Sequence, residues 1–426
     1  MRKTAVFQLN IATFVIFVSG CLLMLIFRQT VKPETADTIS HGDDSQKALT
    51  EHMSVNDILT STKNSTNKPP LKLILLWNAM SPELSDNPFI TFNCPITTCL
   101  FTADMSLIHL SDVVLLRIDV LEDMPLNRLP HQRFVFLHIE SPISTKLSIM
   151  DNPRFRYNYF NWTMTYRRDS DIFLRDYYGS VLPHDSMKGN DTSYYGSVLP
   201  HDSMKGNDTS QRTKFEKELI GKEVMDNDTD LAAIIRGKNK MVAWFVSHCS
   251  TLIRREEYAR QLGQYVPVDI FGNCTKECPT DCYQMLRTDY KFYLAFENSW
   301  CPDYVTEKFI RPLFYHAVPI VLGGADYSHF APPHSYINVR DFGSPKELAD
   351  YLILLNNTET LYASYFDWKK DYEVVRTDMS GWCDLCQLAH NDSLPVKVYP
   401  DIKQWWMLGE AACEYNSTKH FKGIFT

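Results

Sequence analysis

FYLAFENSWCPDYVTEKFIRPLFYHAVPIVLGG, residues 292–324, decides the fold. It opens on an apolar run of buried-strand type, crosses a polar loop, starts a helix in Y-V-T-E-K and closes on a second buried strand ending in Gly-Gly. A strand–loop–helix–strand unit of this kind builds parallel sheet, whose ligands sit in the crevice beyond the carboxyl ends of the strands. Asn298, Tyr304, Glu307, Lys308, Gly323 and Gly324 fall at that crevice. Tyr304, Glu307 and Lys308 are spaced i, i+3, i+4, which on a helix places them on one face near its N-terminus. Free N–H groups and the positive dipole end attract phosphate there, Lys308 adds a point charge, and Glu307 can take ribose hydroxyls. Pro312 lies four residues after Lys308 and removes a hydrogen bond to its carbonyl, so the helix should be short or kinked.

Upstream, LKLILLW (71–77), VVLLRI (113–118) and RFVFLHIE (133–140) repeat the buried-strand pattern. A second series runs through MVAWFVS (241–247), VDIFG (268–272), FYLAF (292–296) and VPIVLGG (318–324). Two series in tandem imply two doubly wound α/β domains, at 70–235 and 236–375, followed by a disulfide-bearing helical extension at 376–426. The 426 residues, 44% apolar and 13% aromatic, are ample for such cores. A net charge of -8 and the absence of a basic tract interleaved with aromatics argue against a nucleic-acid partner. YYGSVLPHDSMKGNDTS (177–193) recurs unchanged as 194–210. Two copies are too few for a solenoid, and the Gly, Pro, Asp and Asn content reads as a duplicated surface loop.

Residues 9–27, LNIATFVIFVSGCLLMLIF, carry no charge and are just long enough to span a thin bilayer. The run is too long for a signal-peptide core, and no small-residue cleavage site follows it. It reads as an uncleaved anchor after a cytoplasmic tail (1–8), with a polar stem (28–69) leading to a lumenal catalytic region. Ten of the eleven cysteines follow the anchor, an even number that suits disulfides in an oxidising compartment. Cys94 with Cys99 and Cys383 with Cys386 are expected local pairs. C-T-K-E-C-P-T-D-C (274–282) and C-D-L-C (383–386) also look like zinc ligands, a reading the lumenal setting disfavours. Sequons stand at Asn64, Asn161, Asn190, Asn207, Asn227, Asn273, Asn356, Asn391 and Asn416.

Glu140 ends the strand RFVFLHIE, and Pro142 stops that strand from continuing, so the carboxylate should face the crevice. A Glu partly desolvated in a cleft suits the task of a general base. Ser247 closes the strand MVAWFVS, and Arg254, Arg255 and Tyr258 open the next helix, an arrangement suited to gripping phosphate. In NWTMTYRRDSDI (161–172), Tyr166, Arg167, Arg168, Asp169 and Asp171 form either an interdomain ion cluster or a sugar-contacting patch. Asp169-Ser-Asp171 also matches a three-residue metal–nucleotide pattern, which is too short to carry weight.

Taken together, F-E-N-S, Y-V-T-E-K, A-V-P-I-V-L-G-G, E-S-P (140–142) and the 161–172 stretch resemble the α1,3-fucosyltransferase family in an invertebrate-like form. The resemblance implies a GT-B fold whose N-terminal domain takes the acceptor and whose C-terminal domain takes GDP-fucose, with the cleft between them. It assigns donor binding to Asn298, Tyr304, Glu307 and Lys308, and the general base to Glu140. Arg255 and Tyr258 fit the family's R-x-x-Y pattern, and Ser247 fits its S-N pair with His248 in place of Asn, which leaves Arg254 as an alternative grip. The family's C-terminal CxxC is normally disulfide-bonded. The implied activity is that of an inverting Golgi type II enzyme moving L-fucose from GDP-β-L-fucose to O3 of GlcNAc in glycoprotein N-glycans. A core GlcNAc and an antennal LacNAc or LacdiNAc GlcNAc both stay open. No metal is strictly required, since such enzymes hold the diphosphate with cations and helix ends, while stimulation by Mn2+ or Mg2+ stays open. The departures at Pro312, at His248 and at Y-Y-G, where the family has P-Y-G, leave two other readings. One is a lumenal glycan-binding homologue without turnover, and the other is a transferase using another nucleotide sugar.

Overall fold

The computed structural model describes residues 70–77, 88–91, 94–118, 123–174, 177–184, 231–278, 281–375, 381–409 and 412–414. They belong to one compact unit, Asn67–Thr426. The anchor, the stem and the second repeat copy lie outside these residues, as do Asn64, Asn190, Asn207, Asn227 and Asn416. No helix among the described residues is long and apolar enough to cross a membrane.

The first sheet contains β1 (Lys72–Trp77), β2 (Cys99–Thr102), β3 (Val113–Arg117), β4 (Arg133–His138), β5 (Trp162–Thr165) and β6 (Ile172–Phe173) in the order β2-β1-β3-β4-β5-β6. A short β7 (Ser180–Pro183) follows within the first repeat copy. The second sheet contains β8 (Lys240–Phe245), β9 (Val268–Phe271), β10 (Tyr290–Phe296), β11 (Val318–Leu322) and β12 (Ile337–Asn338) in the order β12-β11-β10-β8-β9. Every pairing in both sheets is parallel. Renumbered from its own first strand, the first sheet has the doubly wound order 2-1-3-4-5-6 and the second 2-1-3-4-5, so each has a switch point where the strand order reverses. In the second sheet that point lies between β8 and β10. β7 pairs antiparallel with β13 (Tyr372–Val375) and ties the first repeat copy to the chain that follows the second sheet.

Both faces of the first sheet are covered, as continuous apolar strands require. Val114, Phe134 and Phe136 pack with Tyr399, Ile402 and Trp406 on one face. Val113, Leu115 and Val135 pack with Trp382 and Leu385 on the other. The chain after residue 380 therefore folds back over the first sheet rather than extending away from it. This overturns the local disulfide pairing: helix Trp382–Ala389 lies beside β2, and the bonds are Cys94–Cys383 and Cys99–Cys386. Cys249–Cys274, Cys278–Cys282 and Cys301–Cys413 complete the set, so the sulfurs of both zinc-like motifs are joined in disulfides.

Asn161 is also corrected as a glycosylation site. It is fully buried, its Oδ1 accepts from Arg128 and from the Phe134 backbone N–H, and its Nδ2 donates to the Lys397 carbonyl. A glycan there would break the junction of β4 with the C-terminal extension. Asn273 is exposed, Asn356 and Asn391 are half-buried, and Asn391 closes a turn onto Ser393.

Candidate functional site

The site residues gather where the carboxyl edges of the two sheets meet. On the second sheet, helix Glu307–Phe314 starts one residue after Thr306, whose side chain caps it, and ends two residues after Pro312. The short helix expected from Pro312 is present. Tyr304, however, stands ahead of the helix in the loop, so it does not share a helical face with Glu307 and Lys308. The reason is the cap: Thr306 is extended, and Glu297 accepts from its N–H at 2.8 Å and its hydroxyl at 2.9 Å.

Glu297, at the end of β10, is the buried centre of this edge. The Lys308 ammonium reaches its carboxylate at 3.3 Å, Glu307 at 3.2 Å and the Thr306 hydroxyl at 2.8 Å. Burial pushes the Glu297 carboxyl up despite the pull of Lys308. Burial also raises Glu307, but the Lys308 charge and hydrogen bond outweigh it and hold that carboxyl below its usual range. Burial works against the Lys308 ammonium, and the two carboxylates overcome it and hold the lysine above its usual range. A cation wedged between two acids is stable here, and it stands in the first turn of a helix.

Arg255 is buried at the switch point, where its guanidinium donates to the Phe296 carbonyl at the end of β10 and to the His248 carbonyl beyond β8. It clamps the two strand ends together, and its Nε is buried without a hydrogen-bond partner among the described residues. Burial lowers its pKa, with Glu297 opposing. Arg254 is exposed and left-handed, with φ +54°, at the N-cap of helix Arg255–Leu262. Ser247 is exposed just beyond β8. The paired glycines are required by close approach. A Cβ on Gly323 would stand 2.6 Å from the Tyr327 hydroxyl, and one on Gly324 would stand 2.6 Å from the Cys301 carbonyl oxygen.

From the first sheet, Glu140 arrives half-buried two residues past β4 and accepts a 2.8 Å hydrogen bond from the Tyr304 hydroxyl. One residue on, Ser141 shares a 2.7 Å hydrogen bond with Ser299, which in turn donates to Asn298 at 2.9 Å. These contacts seam the two carboxyl edges together. His138 steadies the base of Glu140: its Nδ1 lies 3.2 Å from the Glu140 N–H and its Nε2 2.9 Å from the Thr145 hydroxyl, which also accepts from Trp406. Tyr166 is buried with its ring 4.9 Å from that of Tyr304 and 5.6 Å from that of Trp406.

The 161–172 stretch resolves mainly as structure. Arg167 is buried, grips Asp169 with two nitrogens, donates to the Trp405 carbonyl and lies 4.1 Å over the Trp405 ring. Asp171 receives Thr163, Tyr399 and Lys397 instead. The two acids of the D-x-D pattern are thus engaged with different partners. Among the described residues the one group of three with converging metal-type ligands is Cys99, Cys386 and His390, and its sulfurs are already bonded to each other.

Sequence reasoning missed Glu297, although an acid closing FYLAF has the same strand-end position that singled out Glu140. It also missed Tyr178, in the first repeat copy. Burial raises the Tyr178 hydroxyl first, and the charges of Glu140 and Glu307 raise it further, which places this phenol in the field of both acids.

The chain matches two family models, one described as "Fucosyltransferase, N-terminal" over residues 69–178 and one as "Glycosyltransferase family 10 (fucosyltransferase) C-term" over 235–405. It is 38% identical over 346 residues to "Alpha-(1,3)-fucosyltransferase C" of Drosophila melanogaster, covering 78% of this chain and 74% of that one. It is 34% identical to "Glycoprotein 3-alpha-L-fucosyltransferase A" of the same organism, over 83% of this chain and 63% of that one. Among solved structures, "Crystal Structure of alpha1,3-Fucosyltransferase with GDP-fucose" aligns at 18% identity with a TM-score of 0.45, covering 78% of this chain and 94% of that chain.

Proposed function

Because this chain belongs to the α1,3-fucosyltransferases of glycosyltransferase family 10, and is a glycosyltransferase, we propose that it moves L-fucose from GDP-β-L-fucose to O3 of GlcNAc in glycoprotein N-glycans, with inversion. We read the two doubly wound sheets as the halves of a GT-B cleft.

The observation that carries this reading is the 2.8 Å contact from Tyr304 to Glu140, which brings a carboxylate of the first sheet against the charged loop of the second. Glu140 takes the O3 proton as that oxygen attacks the anomeric carbon, and Tyr304 holds the carboxylate in position. Lys308 and the N–H groups of its helix receive the charge that develops on the departing GDP, while Glu307 and Asn298 orient the nucleotide. Arg255 serves this site by fixing the strand ends, and we assign phosphate contacts to Ser247 and Arg254 beyond β8 and to the Nε of Arg255, which has no hydrogen-bond partner among the described residues.

Two of the three local departures, His248 and Pro312, are compatible with turnover. His248 supplies Arg255 with a backbone carbonyl, which any residue could provide. Pro312 lies beyond the first helical turn that holds Glu307 and Lys308. Five disulfides favour an oxidising compartment. With the apolar run 9–27, they support a Golgi type II placement with GDP-fucose and N-glycans as lumenal partners.

The test is incubation of the purified protein with GDP-fucose and defined N-glycans, with free GDP measured and product linkage determined by mass spectrometry. Fucose on O3 of GlcNAc is expected. Release of no GDP would favour a binding homologue, and turnover restricted to another nucleotide sugar would replace the donor assignment.

A further inference from the structure

Three segments line an open hollow of about 450 Å³ beyond the carboxyl ends of β5 and β10. Its walls are Arg167, Arg168 and Asp169 after β5, Pro302 and Asp303 after β10, and Trp405 from the C-terminal extension. We propose that this hollow is a saccharide subsite that binds an uncharged sugar of the acceptor glycan, next to the GlcNAc that receives fucose. The proposal rests on the fucosyl-transfer reading above and extends it to the acceptor.

Charge decides the ligand class. Arg167 is paired with Asp169, and Arg168 is paired with Asp303, whose carboxylate also accepts from the Arg168 backbone N–H at 3.1 Å. The lining therefore has no spare cation for a phosphate or a carboxylated sugar, and no spare anion for a basic peptide. Each pair does present N–H donors beside carboxylate lone pairs, and a row of sugar hydroxyls, each both donor and acceptor, complements that array. The half-buried Trp405 supplies an apolar wall. The volume falls within the ordinary range of small-ligand sites.

The walls are also held rigid. Arg167 is fixed beneath by Trp405. The Cys301–Cys413 bond precedes Pro302, and the Glu414 N–H donates to the Trp300 carbonyl at 2.8 Å beside it. Asp303 is held left-handed at φ +58°, a conformation that persists in a non-glycine residue where the surroundings enforce it.

Position decides which substrate. β4, β5 and β10 are parallel strands, and Glu140, Arg167–Asp169 and Pro302–Asp303 all follow their carboxyl ends. Tyr166, adjacent to Arg167, packs its ring at a tilt against that of Tyr304, whose hydroxyl donates to Glu140, so a run of contacts joins the wall of the hollow to Glu140. A GlcNAc presenting O3 to Glu140 leaves the hollow to the sugar linked to it.

The test compares two acceptors, a single GlcNAc glycoside and a biantennary N-glycan, with wild type, Arg168→Ala, Arg168→Lys and Asp303→Asn. Arg168→Ala is expected to raise KM for the N-glycan about tenfold, the worth of one charge-assisted hydrogen bond. KM for GDP-fucose and kinetics on the single sugar should hold, and Arg168→Lys should recover part of the loss. Asp303→Asn should reproduce the same split from the other sheet. If KM rises equally for both acceptors, or for neither, the subsite is overturned. Absence of transfer by the wild-type protein to either acceptor would instead remove the fucosyl-transfer reading.

Discussion

The carboxyl edges of the two sheets meet at one seam but are built from opposite materials. The second sheet concentrates charge there: Glu297, Glu307 and Lys308 interlock, and buried Arg255 clamps the strands behind them. The first sheet presents Glu140 among Tyr304, Tyr166, His138 and Trp406, while the other acid at its edge, Asp169, is paired with Arg167. A fixed array of charges suits a leaving group whose negative charge grows, because the array needs no reorganisation during reaction. An acid among rings and hydroxyls suits proton abstraction, because among the described residues no ion pair engages the Glu140 carboxylate. On the proposed function the difference between the edges is a division of labour, and each edge can be broken separately.

The largest effect is expected at the Glu140 carboxylate. Glu140→Gln should lower kcat by about 10²–10⁴-fold, the usual contribution of a general base. GDP binding, measured by calorimetry, should be unchanged, since the amide still accepts from Tyr304 and no donor-side charge is lost. Lost GDP binding with turnover retained would move Glu140 to the donor edge and dissolve the comparison.

Lys308→Met attacks the other edge and should weaken both stability and GDP binding. Removing the cation leaves Glu297 and Glu307 unpaired and largely buried, which typically costs about 3–5 kcal/mol when one partner of a buried pair is lost. The pH dependence carries the same signature. Glu307 is held below its usual pKa, so its contribution is complete above the usual carboxylate value and is lost as pH falls through the depressed one. Lys308 is held above its usual pKa, so its contribution is complete below the usual lysine value and is lost as pH rises through the elevated one. The variant should show a shallower acid limb and a shallower alkaline limb than the parent in thermal melts across pH. Limbs of unchanged depth would show that Lys308 does not hold the network.

Cys413→Ser tests whether the loop between the edges needs its strap. The Cys301–Cys413 bond closes 112 residues and anchors the loop that carries Asn298, Ser299 and Tyr304. Its loss should cost about 2–4 kcal/mol of stability. KM for GDP-fucose should rise several-fold while residual kcat remains, because the loop's contacts are loosened rather than removed. A loss of stability with unchanged KM would make the bond a brace without influence on the site.

Both sheets were legible in the sequence because parallel strands buried on two faces read as unbroken apolar runs, and LKLILLW, RFVFLHIE and VPIVLGG are such runs. Glu140, Glu307 and Lys308 were legible because strand ends and first helical turns have fixed positions relative to a parallel sheet. Three things depended on distance in space that spacing along the chain does not encode. The fold-back of helix Trp382–Ala389 redirected four cysteines to partners nearly 290 residues away. The same extension buried Asn161, and the cap on Thr306 set Tyr304 outside the helix. Glu297 was legible by the same strand-end rule as Glu140 and was passed over because its neighbours matched a known signature.

The smallest effect should come from the repeat, and it asks how much of the seam depends on the duplicated sequence. Removing 177–193 or 194–210 yields one and the same chain, since the copies are identical. In either case one copy remains to supply Tyr178 and the strand that pairs with β13 as Ser180–Pro183 does now. Shortening the segment between that strand and helix Leu231–Gly237 changes the closure entropy by only a few tenths of a kcal/mol, because the cost grows with the logarithm of length. The melting temperature should therefore stay within about 1–2 °C of the parent and kcat/KM within about twofold, whereas deleting 177–210 removes both Tyr178 and the β13 pairing and should abolish transfer. A single-copy deletion that abolished transfer as well would mean that the second copy takes part in the seam, and that the first-sheet edge comprises more than Glu140 and its rings.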